Sequence, residues 1–182
     1  MRAFLGALIV CAACTHTGFE TLAPDPDDVP SGDWPALRVA TARTAMPTTW
    51  DGRLEGPVTF WHDNGVRAAE GAYVGRERDG PWTFWHENGR VRWRGTFEGG
   101  VVVGLERAWH DNGELHFEAT RVDGELEGPY ASWHENGRRE SEGTYRAGER
   151  EGEWRAWHAD GSVNVAETGV YRSGRKTSPP RP

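Results

Sequence analysis

The stretch PWTFWHENGRVRWRGTF, residues 81–97, decides the fold of this chain. In it, Asn88-Gly89 lies between two runs of aromatic and β-branched side chains. An Asn-Gly pair in that position is a strong signal for a β-hairpin. A two-residue type I′ turn needs positive φ at both central residues, which Asn and Gly tolerate. We therefore predict two antiparallel strands joined by this tight turn.

The Trp-His pair of this stretch recurs every 24 residues without slippage. An acidic residue, Asn and Gly follow each pair, except in the fifth copy, where residues 159–161 read Ala-Asp-Gly. The Trp column consists of Trp61, Trp85, Trp109, Trp133 and Trp157. The turn glycines are Gly65, Gly89, Gly113, Gly137 and Gly161. A fixed period of this length indicates one supersecondary unit stacked on the next.

A second glycine-rich stretch, such as residues 98–104, returns the chain to the next hairpin, and we interpret it as the looser turn. Five such units give about ten strands. The sequence predicts an all-β fold, an elongated, curled antiparallel β-meander of about five 24-residue hairpin repeats. A second column, three residues before the Trp column, falls on the opposite face of each strand. It contains Val58, Trp82, Glu106, Tyr130 and Trp154.

The composition favours β-structure over a helical bundle. The 182 residues include 10 Trp and 24 Gly, and most of the glycines follow the repeat. The net charge of −7 argues against nucleic acid as a partner, because phosphate binding needs a clustered basic surface. No Cys follows Cys14, so the repeats must be stable without an intramolecular disulfide.

Residues 1–13 have the features of a signal peptide. Arg2 precedes an apolar stretch that is shorter than the ~20 residues needed to span a bilayer but fits a signal-peptide core. The small residues before Cys14 resemble the lipobox of bacterial lipoproteins, which implies acylation of Cys14. Cys11 fits this pattern less well. An ordinary cleaved signal peptide is the alternative.

The lipobox resemblance implies a lipid-anchored protein of the bacterial cell envelope, at the outer membrane in a cell that has one. A secreted or periplasmic protein is the alternative. We expect residues 14–49, which contain five Pro, to form a tether that holds the domain away from the membrane. Residues 50–174 are then the repeat domain, and residues 175–182 a disordered tail.

The repeat also contains Gly-x-x-x-Gly and a later Gly-x-Tyr/Phe, as in Gly71-Ala72-Tyr73. With the aromatic pair and Asn-Gly, these motifs resemble the variant class of MORN repeats over about residues 50–174. Repeat three departs at Ala119-Thr120-Arg121, and repeat five has two extra residues before Gly169. The resemblance implies a non-catalytic module for protein or membrane-surface contact, and bacterial proteins of this kind are often labelled YwqK-family antitoxins.

Five His in the same register could suggest a metal site. In a meander, however, they would be roughly 10 Å apart, whereas zinc ligands lie within a few ångströms of each other. We expect no metal and no cofactor, and we expect each His to cap its strand and bond a turn. Glu87 and Glu135, beside two of the His, occupy turn positions that should be exposed. With no nucleophile motif or phosphate-binding glycine loop, the chain is predicted not to be an enzyme.

The Trp column has two interpretations. In the first, which we favour, the rings pack against each other and maintain the sheet. Removing Trp109 or Trp133 would then cost about 3–5 kcal/mol of stability, as for a buried aromatic. In the second, the column is an interaction surface that stacks on an extended ligand such as a glycan or peptide.

Two functions of different classes follow. The first is a non-catalytic, membrane-tethered repeat scaffold, expected to be a monomer, that binds a protein or envelope partner. The second is an antitoxin-like protein that neutralises a toxin by direct binding. The signal peptide favours the first, because cytosolic antitoxins have no export segment.

Overall fold

A computed structural model describes residues 55–178. These residues form one antiparallel sheet of 12 strands whose order follows the chain, with β7 and β8 as two pieces beside β6. The strands are β1 (Gly56–Trp61), β2 (Arg67–Val74), β3 (Glu77–Trp85), β4 (Val91–Glu98), β5 (Val101–Trp109), β6 (Leu115–Val122), β7 (Glu125–Leu126), β8 (Gly128–Trp133), β9 (Arg139–Arg146), β10 (Glu149–Ala156), β11 (Gly169–Arg172) and β12 (Arg175–Ser178). The sheet is not closed, and the predicted all-β meander is confirmed. The predicted signal peptide, Cys14 and the tether lie outside the described residues.

The Asn-Gly turns are three-residue loops, so the predicted two-residue type I′ turn was wrong at this position. In repeat two, Gly89 N donates to the His86 carbonyl and His86 N donates to the Arg90 carbonyl, both at 2.9 Å. Gly89 has positive φ (83°), whereas Asn88 does not. Asn88 Oδ1 accepts a hydrogen bond from Arg90 N at 2.9 Å. The amide side chain thus closes the turn, and only the glycine adopts the left-handed conformation.

The glycine-rich turns, predicted to be the looser ones, are the two-residue type I′ turns. Val122 pairs directly with Glu125, which leaves only Asp123 and Gly124 in the loop. Both loop residues have positive φ, 52° and 83°, as this turn type requires. The five turns of this kind are Gly75-Arg76, Gly99-Gly100, Asp123-Gly124, Ala147-Gly148 and Ser173-Gly174.

Each first strand of a repeat also bends at a glycine. Gly80 has φ of 75°, and between Asp79 and Thr83 the strand β3 carries two more residues than the facing part of β2. The bulge recurs in β5 and β10, at Gly104 and Gly152. A bulge at the same place in successive repeats bends the sheet repeatedly at that position, as a curled meander requires.

The core lies on one face of the sheet, where aromatic rings lie flat on glycines. Trp82 is 2% exposed, and a Cβ on Gly71 of the neighbouring strand would lie 2.2 Å from its indole ring. Trp82 Nε1 donates to the Ala72 carbonyl at 3.1 Å. Trp154 lies in the same way on Gly143, where a Cβ would be 2.3 Å away. Glycine at these positions lets a single sheet bury large rings without a second layer above them.

Repeat three keeps its strands but fills this space differently. Glu106 stands in the column of Trp82 and is fully buried. Its Oε1 accepts a hydrogen bond from Arg121 Nε at 2.6 Å, and its Oε2 accepts one from Trp93 Nε1 at 2.9 Å. The departure at Ala119-Thr120-Arg121 therefore introduces a buried ion pair and leaves β6 intact.

Repeat five loses part of its second strand. After an isolated bridge from Trp157 to Val163, residues 164–168 leave the sheet, and pairing with β10 resumes at Gly169. The two extra residues seen in the sequence thus interrupt this strand. The sheet then extends through β12, so residues 175–178 belong to it although we predicted a tail from residue 175.

Candidate binding surfaces

The repeated histidines link one repeat to the next. Each Nε2 donates to the carbonyl of the Trp in the following repeat, at 2.7 to 2.9 Å. The donors are His62, His86, His110 and His134. Because the acceptor is a carbonyl oxygen, Nε2 carries the proton in each ring. The backbone carbonyl of each repeated His also accepts a hydrogen bond from its turn glycine, as we predicted. The side-chain bond to the next repeat was not predicted.

A second series of bonds runs beside the first. The side-chain amide of Asn64 donates to the Glu87 carbonyl at 2.8 Å, and Asn88 donates to the Asp111 carbonyl at 2.6 Å. Asn112 and Asn136 continue the series. Within the described residues, no group of three or more His, Cys, Asp or Glu could hold a metal ion. Through these hydrogen bonds, the repeated His and Asn side chains connect each hairpin to the next.

The Trp column is half-buried throughout. Arg94 follows the core residue Trp93 and so points to the opposite face, where its guanidinium lies 6.0 Å from the ring of Trp109. Arg67 lies 5.2 Å from the ring of Trp85. We name this surface the Trp–Arg face; it consists of Trp85, Trp109 and Trp133 with Arg67, Arg94 and Arg139. The fully buried tryptophans are Trp82, Trp93 and Trp154, outside this column.

Ion pairs surround the Trp–Arg face. Arg107 Nε lies 2.6 Å from Glu118 Oε2, and Glu142 lies within 4 Å of both Arg139 and Arg155. A shallow groove of about 550 Å³ runs between these charges, and Trp133 forms part of its lining. Charged and aromatic side chains therefore lie side by side along this groove.

A cavity of about 410 Å³ opens on the core face in repeats four and five. Ser132 and Ser141 lie side by side in its lining, with their hydroxyl oxygens 2.8 Å apart. We name it the serine cavity. We did not predict this cavity from the sequence, although Ser132 occupies the repeat position at which residues 60 and 84 are phenylalanine.

Two titratable groups that line the serine cavity have shifted pKa values. Burial, followed by the effect of the neighbouring Tyr145, raises the pKa of Tyr130 to about 12. Burial lowers the pKa of Arg150, but hydrogen bonds to Tyr145, Glu167 and Tyr171 outweigh it, so the net pKa is raised. Tyr130 is therefore a neutral hydroxyl and Arg150 a fixed cation at neutral pH.

No model of a known protein family matches this sequence, and a search of curated proteins finds no match. The resemblance to MORN repeats therefore stays an expectation based on the repeated motifs. Within residues 55–178, no helix has the length and apolar character needed to cross a membrane.

Proposed function

We propose that this protein is a non-catalytic scaffold that binds a protein or envelope partner through the Trp–Arg face. The observation that supports this proposal is the row of three Arg–Trp stacks on the face opposite the core. The stacks have centroid distances of 5.2, 6.0 and 4.4 Å. Trp and Arg are the residues most often found at the energetic centres of protein interfaces.

The geometry of the Trp–Arg face suits a partner with both apolar and charged groups. The half-buried rings offer flat apolar surface, and each guanidinium above them retains donors for a partner's carboxylates. The ion pairs beside them are exposed, and Glu118 for example has 41% of its side chain accessible. Exposed pairs of this kind contribute little stability to the fold, but they guide a partner of complementary charge.

The use of the repeated polar groups supports binding over catalysis. The histidines and asparagines donate to backbone carbonyls of the next repeat, so these side chains already have partners. A general acid or base must reach a substrate proton from a free position. These side chains therefore maintain the sheet on which the Trp–Arg face is built.

We further propose that acylated Cys14 and residues 14–49 hold the scaffold at an envelope membrane, as the lipobox and the prolines of this segment suggest. Radiolabelled fatty acid should enter the wild-type protein and the Cys11→Ser variant. It should not enter Cys14→Ser. Label in Cys14→Ser but not in Cys11→Ser would place the anchor at Cys11, and label in no variant would leave an ordinary secreted protein.

The binding proposal is tested by affinity capture from envelope extract with the full chain. The Arg94→Glu/Arg139→Glu double variant reverses two charges of the Trp–Arg face. Arg172→Glu/Arg175→Glu makes the same change in net charge at exposed positions on β11 and β12, and serves as the control. We expect the first pair to reduce partner recovery at least about tenfold, as for interface charges in contact, and the control to retain it.

Equal recovery by both double variants would refute the Trp–Arg face as the binding surface. The same experiment tests the antitoxin alternative, which the motif resemblance suggests. That function would be established instead if a captured protein arrests cell growth when it is produced alone and does not when this chain is co-produced.

A further inference from the structure

The serine cavity exists because two small residues stand where other repeats have rings. In repeat two, Phe84 pairs with Trp93, and in repeat three Phe117 occupies the position that Ser141 takes in repeat four. Ser132 and Ser141 pair directly, and they are only 3% and 8% exposed. The space that a ring would fill remains open as a cavity lined by hydroxyl groups.

Part of the cavity wall comes from residues that do not recur with the repeat. The irregular segment of repeat five supplies Asn164 and Glu167. Arg150 of β10 pairs with Glu167, with 3.1 Å between Nη1 and Oε2, and its guanidinium lies 4.5 Å from the ring of Trp154. The insertion that interrupts the second strand thus places an amide and an ion pair at one side of the cavity.

The opposite side carries a carboxylate beside an imidazole. Glu140 Oε1 lies 3.8 Å from His134 Nδ1, which makes an ion pair only when the imidazole is protonated. In repeats two and three the same position holds Arg92 and His116. The cavity therefore contains a balanced Arg–Glu pair and one further carboxylate, with hydroxyl groups between them.

These groups make some classes of ligand less suitable than others. An anion would face Glu140 and Glu167, and a cation would face Arg150. An apolar molecule would displace water from the polar groups of the cavity and give them no hydrogen bond in return, which is costly. A neutral molecule with many hydroxyl groups can donate to the carboxylates and accept from the guanidinium and the serines.

We propose that the serine cavity binds a neutral sugar unit. The volume of about 410 Å³ lies within the usual range for small-molecule sites. Tyr130 lines the cavity and offers aromatic surface for the carbon–hydrogen face of a sugar ring. The site lies on the core face, so it is independent of the Trp–Arg face and extends the proposed function.

The test is isothermal titration calorimetry of the full chain with glucose, galactose and N-acetylglucosamine. We expect saturable binding of at least one sugar with a Kd at or below about 1 mM. Ser132→Phe, which restores the residue of position 84, should fill the cavity and abolish binding. Glu140→Gln keeps the volume and removes the charged acceptor, so the Kd should rise about tenfold.

Glu118→Gln is the matched control, because it makes the same chemical change on the opposite face and should leave sugar binding unchanged. The Arg94→Glu/Arg139→Glu variant should also bind sugar normally, which separates this site from the partner surface. Absence of saturable binding for all three sugars would overturn the proposal, as would binding that Ser132→Phe and Glu140→Gln leave intact. Tighter binding of inorganic phosphate or tetramethylammonium would overturn the assignment to a neutral ligand.

Discussion

At position 106 a glutamate stands where repeats two and five have tryptophan. Its two carboxylate oxygens accept bonds from Arg121 and from the indole of Trp93, and its side chain is inaccessible to solvent. A buried charge is tolerated only when it is paired and hydrogen-bonded, as this one is. Glu106 therefore needs a cation and an indole donor beside it, which Arg121 and Trp93 provide. Because no indole lies over position 119, that position is not restricted to glycine.

Glu106→Gln should destabilise the fold by about 3–5 kcal/mol, because it leaves the guanidinium of Arg121 buried without its counter-charge. Urea denaturation of both proteins measures this difference in the free energy of unfolding. Glu118→Gln is the control: Glu118 also pairs with an arginine at 2.6 Å but is exposed, so its replacement should cost under about 1 kcal/mol. Similar costs at the two positions would show that the pair at Glu106 is not effectively buried.

Gly143→Ala should destabilise the fold by about 1–3 kcal/mol, the usual cost of overpacking. The new Cβ would lie 2.3 Å from the indole of Trp154, which must then move. Alanine is the natural residue at the equivalent position of repeat three, Ala119, because Glu106 replaces the indole there. Ala119→Gly should therefore change stability by no more than about 1 kcal/mol. A neutral Gly143→Ala variant would contradict the close packing of ring on backbone.

At the scale of the hairpin, the type I′ turn is found at the glycine-rich turns, whereas we predicted it at the Asn-Gly turns. We assigned Asn88-Gly89 to the type I′ turn from backbone preference alone. The Asn side chain has two further uses, however: Oδ1 closes its own turn, and Nδ2 bonds the next repeat. The second bond spans 23 residues and is invisible to a local pattern. Position and period of the turns could be predicted, but their type could not.

Ala147 is the residue for which this difference has a measurable consequence. It has φ of 47° at the first position of a type I′ turn, where alanine is strained and Asn is preferred because its side chain can bond the local backbone. Ala147→Asn should therefore raise the free energy of unfolding by about 0.5–1 kcal/mol. Gly148→Ala, with φ of 75° at the next position, should lower it. A loss of stability in Ala147→Asn would contradict the turn type.

At the scale of the whole molecule, the fold followed from the period, whereas the candidate sites did not. The 24-residue spacing and the alternation along each strand predicted the meander and the two faces that carry aromatics. The serine cavity depends on what is missing, two rings in repeat four, and on the path of residues 164–168 outside the sheet. Neither the missing volume nor that path is expressed as a repeated pattern.

The tryptophans of the two columns lie on opposite faces of the sheet, although both columns follow the same 24-residue period. The Trp column, which we expected to pack as buried aromatics, is half-buried, and its rings at positions 85, 109 and 133 lie under arginines. The other column contains Trp82 and Trp154, whose rings are buried against glycine backbone. We therefore assign stability to the second column and partner binding to the first.

The most direct test of this division is the free energy of unfolding of Trp82→Ala and Trp133→Ala, measured side by side by urea denaturation. Trp82→Ala should cost about 3–5 kcal/mol, as for a fully buried aromatic ring. Trp133→Ala should cost less than half as much, because it removes a half-buried ring and one stacked guanidinium. An equal or larger cost at Trp133 would contradict this division and show that the Trp column mainly stabilises the sheet.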